Sequence, residues 1–264
     1  MYETKYHKAS SVDEAVSLMG ATDDGKFLSG GQTLLPTMKA HLAAPTDLVD
    51  LSGITDINGV NVSGGTVTIG ATTTHATVAG DAALQKACSS VADLAGNIGD
   101  PAVRHVGTIG GSIANNDPAA DYPAALLALG ATIKTSAREI AAADFFVGLF
   151  ETALEEDEII VSVSFDAPVK SCYAKFPNPA SRYAMVGVFV ADTVNGARVA
   201  VTGAGDDGVY RQADMEAALD GSWNAKVVKD ISVSANGLLS DMHSDATYRA
   251  NLIKVMTGRA VANC

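Results

Sequence analysis

Cysteine, positive charge and long hydrophobic runs are all scarce in this sequence, and each shortage excludes a class of protein. The three cysteines are odd in number and lie far apart, so they provide neither a disulfide framework nor a Cys-rich metal or iron–sulfur motif. Lysine and arginine total 18 against 30 aspartate and glutamate, a net charge of -12 without a basic cluster, so we expect no nucleic-acid surface. No apolar stretch is long enough for a transmembrane segment, and residues 1–10 lack the apolar run of a secretory signal. The expected location is the cytoplasm.

The sequence also lacks the motifs of several catalytic classes. Its histidines are not spaced as zinc ligands, and neither His-Glu-x-x-His nor Gly-x-Ser-x-Gly occurs. The Gly-x-Gly-x-x-Gly fingerprint and the Gly-Lys-Ser/Thr P-loop are absent, which disfavours a Rossmann dehydrogenase and an NTPase. Clustered acids at residues 155–158 and 206–207 are typical of solvated turns. We therefore predict no metal site and no catalytic residue in this chain.

Two glycine-rich segments of similar design are the most informative feature that is present. The first is SGGQTLLP at residues 29–36, and the second is GTIGGSIANNDPAAD at residues 107–121. Adjacent glycines let backbone N–H groups approach a ligand and form a concave anion site, and each segment is predicted to lead into a helix. The second helix is expected to begin at Asp117-Pro118. One such segment is most often a strand-to-helix turn, but two in one chain favour a ligand that carries a pyrophosphate.

The hydrophobic patterns predict an α+β chain with two domains. Ser11 and Glu14 form a capping box before a short helix, and a strand, glycine segment, helix and strand over residues 26–51 suit a parallel crossover. A hairpin at Gly64-Gly65 opens a second subdomain, with helices at 72–86, 87–96 and 119–129 and a strand at 158–165. The subdomains are predicted at about residues 1–59 and 60–170.

The second predicted domain covers residues 171–264. Its strands are expected at 171–176, 184–192 and 198–202, with a hairpin turn through Asn195-Gly196. Helices are expected at 213–219, 227–239 and 246–262. The segment 166–170, which contains Pro168, separates the two domains.

Taken in order, these motifs resemble a known family. The two glycine segments, LVDL at 48–51, KFPNPASRYA at 175–184, YRA at 248–250, Met256 and RAV at 259–261 are similar to the FAD-binding medium subunit of molybdenum hydroxylases. The likeness covers nearly the whole chain and is greatest to the aerobic carbon monoxide dehydrogenase type within the xanthine dehydrogenase family. It implies a two-subdomain α/β FAD-binding domain (PCMH-type) followed by a C-terminal domain with a small antiparallel sheet and a helical bundle.

The resemblance also implies a role and partners. In such complexes a molybdopterin-binding large subunit oxidises the substrate, and a small subunit carries two [2Fe-2S] clusters. The flavin subunit passes electrons from those clusters to an external acceptor, and the assembly is a dimer of heterotrimers. FAD is the only cofactor that the resemblance implies for this chain.

By the same resemblance, particular residues would bind FAD. The two glycine segments would hold the pyrophosphate, a carboxylate and an amide would contact polar groups of FAD, and three later residues would lie near the flavin ring. The residues of the segments are Ser29, Gly30, Gly31, Gln32, Thr33 and Leu34, and Gly107, Thr108, Ile109, Gly110, Gly111 and Ser112. The polar contacts are Asn115 and Asp121, and the residues near the ring are Ile160, Lys175 and Tyr183. The chain departs from some relatives at Arg182, which precedes Tyr183 where they have Asp.

Asp121 can also be assessed from the residues alone. A helix that starts at Asp117-Pro118 would place its carboxylate one turn in, facing the ligand, where it could accept a hydrogen bond from a ribose or ribityl hydroxyl. The alternative is an acid that only stabilises the helix N-terminus.

Two other functions remain open at this stage. A standalone FAD-dependent oxidase of related fold would need its own substrate pocket and an acid–base group, and the sequence shows no poised histidine or carboxylate pair. A binding module that has lost FAD is the other alternative. An absorbance spectrum of the pure chain distinguishes the module without FAD from the two flavoproteins. Copurifying partners distinguish the subunit of a complex from the standalone oxidase.

Overall fold

The structure is a computed structural model that describes residues 1–264, and its first part is a small parallel sheet. Its elements are β1 (Lys5–Lys8), α1 (Val12–Met19), β2 (Gly25–Leu28), α2 (Leu34–Lys39) and β3 (Asp47–Asp50), followed by a short 3-10 turn (Thr55–Ile57). The buried β3 lies between β1 and β2 and is parallel to both, which confirms the predicted crossover. The polar β1 was not predicted.

The capping box forms with one change. Ser11 Oγ accepts a hydrogen bond from the Glu14 backbone N–H at 3.1 Å, as expected. The Glu14 carboxylate, however, accepts from the backbone N–H of Ser10 at 2.8 Å, one residue earlier than predicted.

The second part surrounds an antiparallel sheet. It contains β4 (Val60–Ser63), β5 (Thr66–Gly70), α3 (His75–Gly80), α4 (Ala82–Gly96), α5 (Pro101–Arg104), α6 (Ile109–Asn115), α7 (Tyr122–Leu129), β6 (Thr132–Thr135), β7 (Glu139–Ala141), α8 (Ala142–Phe145), β8 (Phe146–Gly148), β9 (Glu151–Thr152) and β10 (Ile160–Asp166). The sheet order is β4-β5-β10-β6-β7. Gly64 and Gly65, with φ of +61° and +91°, make the predicted hairpin turn.

The second glycine segment differs from the prediction. Gly110 and Gly111 lie inside helix α6, and α7 begins at Tyr122 instead of at Asp117-Pro118. The reason is local: Asn116 ends α6 in the left-handed region (φ +40°), and Asp117 Oδ1 accepts from the Ala119 N–H at 2.8 Å. An Asp that bonds the backbone two residues on makes a turn and does not cap a helix.

The C-terminal part is a meander with helices on one face. It contains β11 (Lys170–Pro177), β12 (Ala184–Thr193), β13 (Gly196–Thr202), β14 (Tyr210–Arg211), α9 (Ala213–Gly221), α10 (Ala225–Lys229) and α11 (Ala246–Asn263). The Asn195-Gly196 hairpin is confirmed. The predicted helix at 227–239 is wrong beyond Lys229, because Ile231 and Val233 alternate with serines and Gly237 takes φ +76°.

Strand β12 joins this part to the rest of the core. Successive side chains of a strand point to opposite faces, and both faces of β12 are buried. Phe189 and Ala191 pack in the core that contains α7, whereas Val188 and Val190 pack in the core that contains α11. Helix α7 is also buried, along its whole length, as expected for a helix that is apolar on all sides. None of the helices combines the length and the apolar character needed to cross a membrane.

Candidate functional site

A cleft with a volume of about 740 Å³ gathers residues from all three parts of the chain. Every residue that the sequence singled out lines this cleft except Ile109. The Ile109 side chain is fully buried in the core, and its N–H donates to Thr73 O at 3.1 Å. The structure therefore brings both glycine segments together with Asn115, Asp121, Ile160, Lys175 and Tyr183.

The two glycine segments contact each other directly. A Cβ added to Gly30 would lie 2.3 Å from Val106 O and 2.7 Å from Gly107 Cα, so only glycine fits this approach. The hydroxyls of Ser29 and Thr108 are 2.9 Å apart and tie the segments together. One wall of the cleft is thus built from both segments.

The segments offer different groups to a ligand. In the first, the backbone N–H groups of residues 30–34 have no acceptor within the chain. In the second, most N–H groups are used: Gly110 donates to Ala71 O at 2.9 Å and Gly111 to Thr108 Oγ1 at 3.1 Å. Thr108, Gly111 and Ser112 of this segment also line the cleft. The row of free N–H groups is suited to phosphate oxygens.

Asp121 stands at a junction between the two predicted domains. It is the residue before α7, not one turn into a helix, and it caps no backbone N–H. Its Oδ2 accepts from Lys175 Nζ at 2.9 Å, and its Oδ1 accepts from the Tyr173 hydroxyl. Lys175 Nζ also donates to Asn97 O at 3.3 Å. Both charged side chains are more than nine-tenths buried, so the cleft contains a desolvated ion pair.

The burial of this pair sets its electrostatics. Burial raises the pKa of Asp121, and the Lys175 ammonium and the Tyr173 hydroxyl oppose that rise because they stabilise the carboxylate. Burial, together with the Asp121 charge, raises the pKa of Tyr173 well above its usual value, so this phenol keeps its proton. Tyr173 was not predicted, although its spacing of two from Lys175 places both side chains on one face of β11.

Tyr183 reaches the cleft from a tight loop. Asn178 Oδ1 accepts from the N–H groups of Ala180 and Ser181 and closes the loop, which leaves Tyr183 about half exposed (48%). Burial, followed by the charges of Asp117 and Asp121, raises the pKa of Tyr183. Arg182 has a φ of +63°, a region that Asp occupies more readily than Arg, so the departure noted in the sequence falls at a strained position.

Two residues line the cleft although the sequence did not predict them there. Glu158 was expected on a solvated turn, but it is buried and pairs with Arg138, whose Nε donates to Oε1 and Nη2 to Oε2, both at 3.1 Å. Burial favours the neutral acid, but the hydrogen bonds from Arg138 and Thr135 outweigh it and lower the pKa of Glu158.

His75 is the second lining residue, and no spacing rule pointed to it. Its backbone N–H donates to Gly107 O at 2.9 Å, which fixes the start of α3 beside the second glycine segment. Burial, and secondarily the Arg104 charge, lower the pKa of His75 to about 4. The ring is therefore neutral at physiological pH.

Comparison with known proteins identifies the family. Residues 2–168 match the family described as the FAD binding domain in molybdopterin dehydrogenase. Residues 171–264 match the CO dehydrogenase flavoprotein C-terminal domain. The chain belongs to this flavoprotein family. The cofactor of this flavoprotein is FAD, and the free N–H groups of residues 30–34 fit its pyrophosphate.

Relatives of this flavoprotein match along almost their entire length. The nicotine 6-hydroxylase medium subunit of Paenarthrobacter nicotinovorans is 32% identical over 97% of this chain and 95% of the relative. The carbon monoxide dehydrogenase medium chain of Hydrogenophaga pseudoflava is also 32% identical, over 97% of this chain and 95% of the relative. A solved structure of carbon monoxide dehydrogenase from Hydrogenophaga pseudoflava superposes with a TM-score of 0.88, 32% identity and coverage of 98% and 96%.

Proposed function

We propose that this chain is the FAD-binding electron-transfer subunit of a molybdenum hydroxylase complex, which receives electrons from [2Fe-2S] clusters in a partner and delivers them to an external acceptor. The observation that carries this proposal is the cleft, whose lining combines a row of residues with free backbone N–H groups and a buried ion pair. The match of both family models along the chain supports the same conclusion.

The residues divide the cofactor between them. The N–H groups of residues 30–34, with the hydroxyls of Ser29, Thr108 and Ser112, would hold the pyrophosphate. Asp121 would accept hydrogen bonds from hydroxyls of the ribose or ribityl chain, and Asn115 would donate hydrogen bonds to these hydroxyls or accept them. Ile160, Lys175 and Tyr183 would bind the ring system, and the boundary near residue 170 would separate the FAD-binding domain from the C-terminal domain. When bound, FAD supplies the capacity to take up and release electrons singly or in pairs.

The partners follow from the relatives. We assign a molybdopterin-binding large subunit and a [2Fe-2S] small subunit, assembled as a dimer of heterotrimers in the cytoplasm. The three cysteines are free thiols, which agrees with a reducing compartment. Medium subunits of a nicotine hydroxylase and of a carbon monoxide dehydrogenase are equally similar to this chain, so the choice of substrate is assigned to the large subunit.

The proposal is tested with the purified chain and with the complex. The FAD-loaded chain, reduced by dithionite, should pass electrons to an artificial acceptor but oxidise no hydroxylase substrate. Tagged chain expressed with its neighbouring genes should copurify with molybdopterin and iron–sulfur subunits and gain substrate oxidation. Substrate turnover by the isolated chain would instead support a standalone oxidase.

A further inference from the structure

His75 is the most deeply buried of the titratable cleft residues that have no role in the proposed function. Its side chain is 4% exposed and lies on Gly107, so that a Cβ on that glycine would be 2.8 Å from Nε2. The ring therefore lies next to the segment that would hold the pyrophosphate. Its place at the start of α3 is fixed by the backbone hydrogen bond to Gly107 O.

Two buried polar atoms near this point have no partner. His75 Nδ1 and the Tyr122 hydroxyl are both buried and make no hydrogen bond within the chain. The two rings are neighbours, with centroids 5.4 Å apart and planes tilted by 45°. A buried polar atom without a partner is destabilising, and few occur in native proteins. His75 lines the cleft and Tyr122 lies behind it, so the two unpaired atoms indicate a water or ligand that completes their hydrogen bonds.

The surroundings keep the imidazole uncharged. Arg104 of α5 contributes a positive charge, and its guanidinium is held by the carbonyls of Ile98 and Gly99 at 3.1 Å and 3.4 Å. Tyr122 faces the ring from α7 and keeps its proton, because burial, followed by the Asp121 charge, raises the pKa of this phenol. A neutral imidazole has one donor nitrogen and one acceptor nitrogen, and a group that donates to Nδ1 leaves the proton on Nε2.

We propose that His75 is a further FAD-binding residue: its neutral imidazole donates from Nε2 to an oxygen of the cofactor beside Gly107, while Nδ1 accepts from one buried water that bridges it to the Tyr122 hydroxyl. Tyr122 is then a positioning residue that sets the tautomer. The inference rests on the proposed function. The oxygen belongs either to the pyrophosphate or to a ribityl hydroxyl.

The test is a fluorescence titration of FAD into the full apo chain. His75→Phe, which keeps a ring and removes both nitrogens, should raise the Kd about tenfold, the effect of one lost hydrogen bond. His75→Gln places an amide donor near the position of Nε2 and should restore most of the affinity. Tyr122→Phe should raise the Kd less than His75→Phe does. The control is His105→Phe, which replaces an exposed histidine outside the cleft and should leave the Kd at the wild-type value.

Three further measurements make the outcome decisive. Thermal melts of the apo variants separate lost binding from lost folding, and a His75→Gln chain that folds but binds as weakly as His75→Phe would overturn the proposal.

Because the donor is neutral, the ratio of the two Kd values, His75→Phe to wild type, should stay constant from pH 6 to 8. A ratio that falls about tenfold as pH rises would show a charged imidazolium and contradict it. A loss seen with ADP assigns the contact to the pyrophosphate, and a loss seen only with FAD assigns it to the ribityl chain.

Failure of the two proposals can be told apart. If wild type binds FAD and Gly111→Val does not, the cleft is the cofactor site, and an unchanged Kd in His75→Phe overturns only the role of His75. If wild type binds no FAD, the proposed function is overturned and this inference with it.

Discussion

At the scale of single residues, the glycines of the first segment permit close packing and also line the cleft. Gly31 has a φ of +63°, and a Cβ there would lie 2.9 Å from the ends of Leu28 and Leu35. The cost of the backbone conformation and the crowding therefore coincide at Gly31. Gly111, in contrast, has a helical backbone, and its added Cβ would meet only side-chain atoms, Thr108 Oγ1 at 3.0 Å and Ser29 Cβ at 3.9 Å. Of the two glycines, only Gly111 can be replaced without a large effect on the apoprotein.

We therefore expect Gly31→Ala to destabilise the apoprotein more than Gly64→Ala. Gly64 is a matched control, because its φ is +61° but nothing lies within 4 Å of its added Cβ. The shared backbone conformation should cost about 1 to 2 kcal/mol in each variant, and only Gly31→Ala should lose more through crowding. Chemical denaturation of the two variants measures the difference. Equal losses would mean that Leu28 and Leu35 move aside freely.

The buried His75 predicts how stability depends on pH. Its pKa is lowered from the usual 6.5 to about 4, so the unfolded chain binds more protons between these values and stability falls as pH falls through this range. The full effect is on the order of 3 kcal/mol, which is present above about pH 6.5 and lost by about pH 4.

Denaturation curves of wild type and His75→Gln at pH 7 and pH 5 provide the check. Wild type should lose more stability than the variant between these two pH values, since acids with lowered pKa titrate mainly below pH 5. His105→Gln should behave like wild type, because His105 is exposed. Identical pH dependence in wild type and His75→Gln would show that His75 is not held neutral by burial.

At the scale of elements, local patterns were predictable and the way helices meet strands was not. The parallel crossover and both hairpins follow from turn residues and periodicity, which act over a few positions. Helix α6 was not predictable, because glycine disfavours a helix interior and the hydrogen bonds of residues 109–110 to Thr73 and Ala71, which help to hold it, come from distant parts of the chain. The pairing of Asp121, which precedes α7, with Lys175 on β11 joins distant parts of the chain and leaves no local signal.

This pairing changes the expectation for Asp121→Ala. If Asp121 only accepted a hydrogen bond from FAD, as the sequence analysis considered, the substitution would weaken FAD binding by about 1 to 3 kcal/mol and leave the apoprotein unchanged. In the structure, the substitution leaves the Lys175 ammonium buried without its carboxylate, so the apoprotein should also lose about 3 to 5 kcal/mol of stability.

A double-mutant cycle with Lys175→Met measures the coupling. The double variant should recover part of the stability that Asp121→Ala loses, because no uncompensated buried charge remains. Additive losses in the cycle would show that the two side chains do not interact in solution.

At the scale of the whole molecule, the cleft exists only where three parts of the chain meet. Segment motifs and their order pointed to the cofactor and to many of the lining residues, since the glycines must stand where backbone approaches backbone or ligand. Tyr173, Glu158 and His75 were not found, because their importance arises from burial against residues distant in sequence. Strand β12, packed on both faces, makes the C-terminal sheet part of the core that supports the cleft.

The most direct test of the central claim, that FAD occupies the cleft between the glycine segments and Lys175, is an FAD titration of wild type and Gly111→Val. A valine at this position extends into the cleft, where the added Cβ already lies 3.0 Å from Thr108 Oγ1, and should block the cofactor while the apoprotein melts close to the wild-type temperature. We predict stoichiometric binding with a bound-flavin absorbance spectrum for wild type, and no saturable binding for Gly111→Val. Full flavin occupancy in a folded Gly111→Val chain would contradict the account.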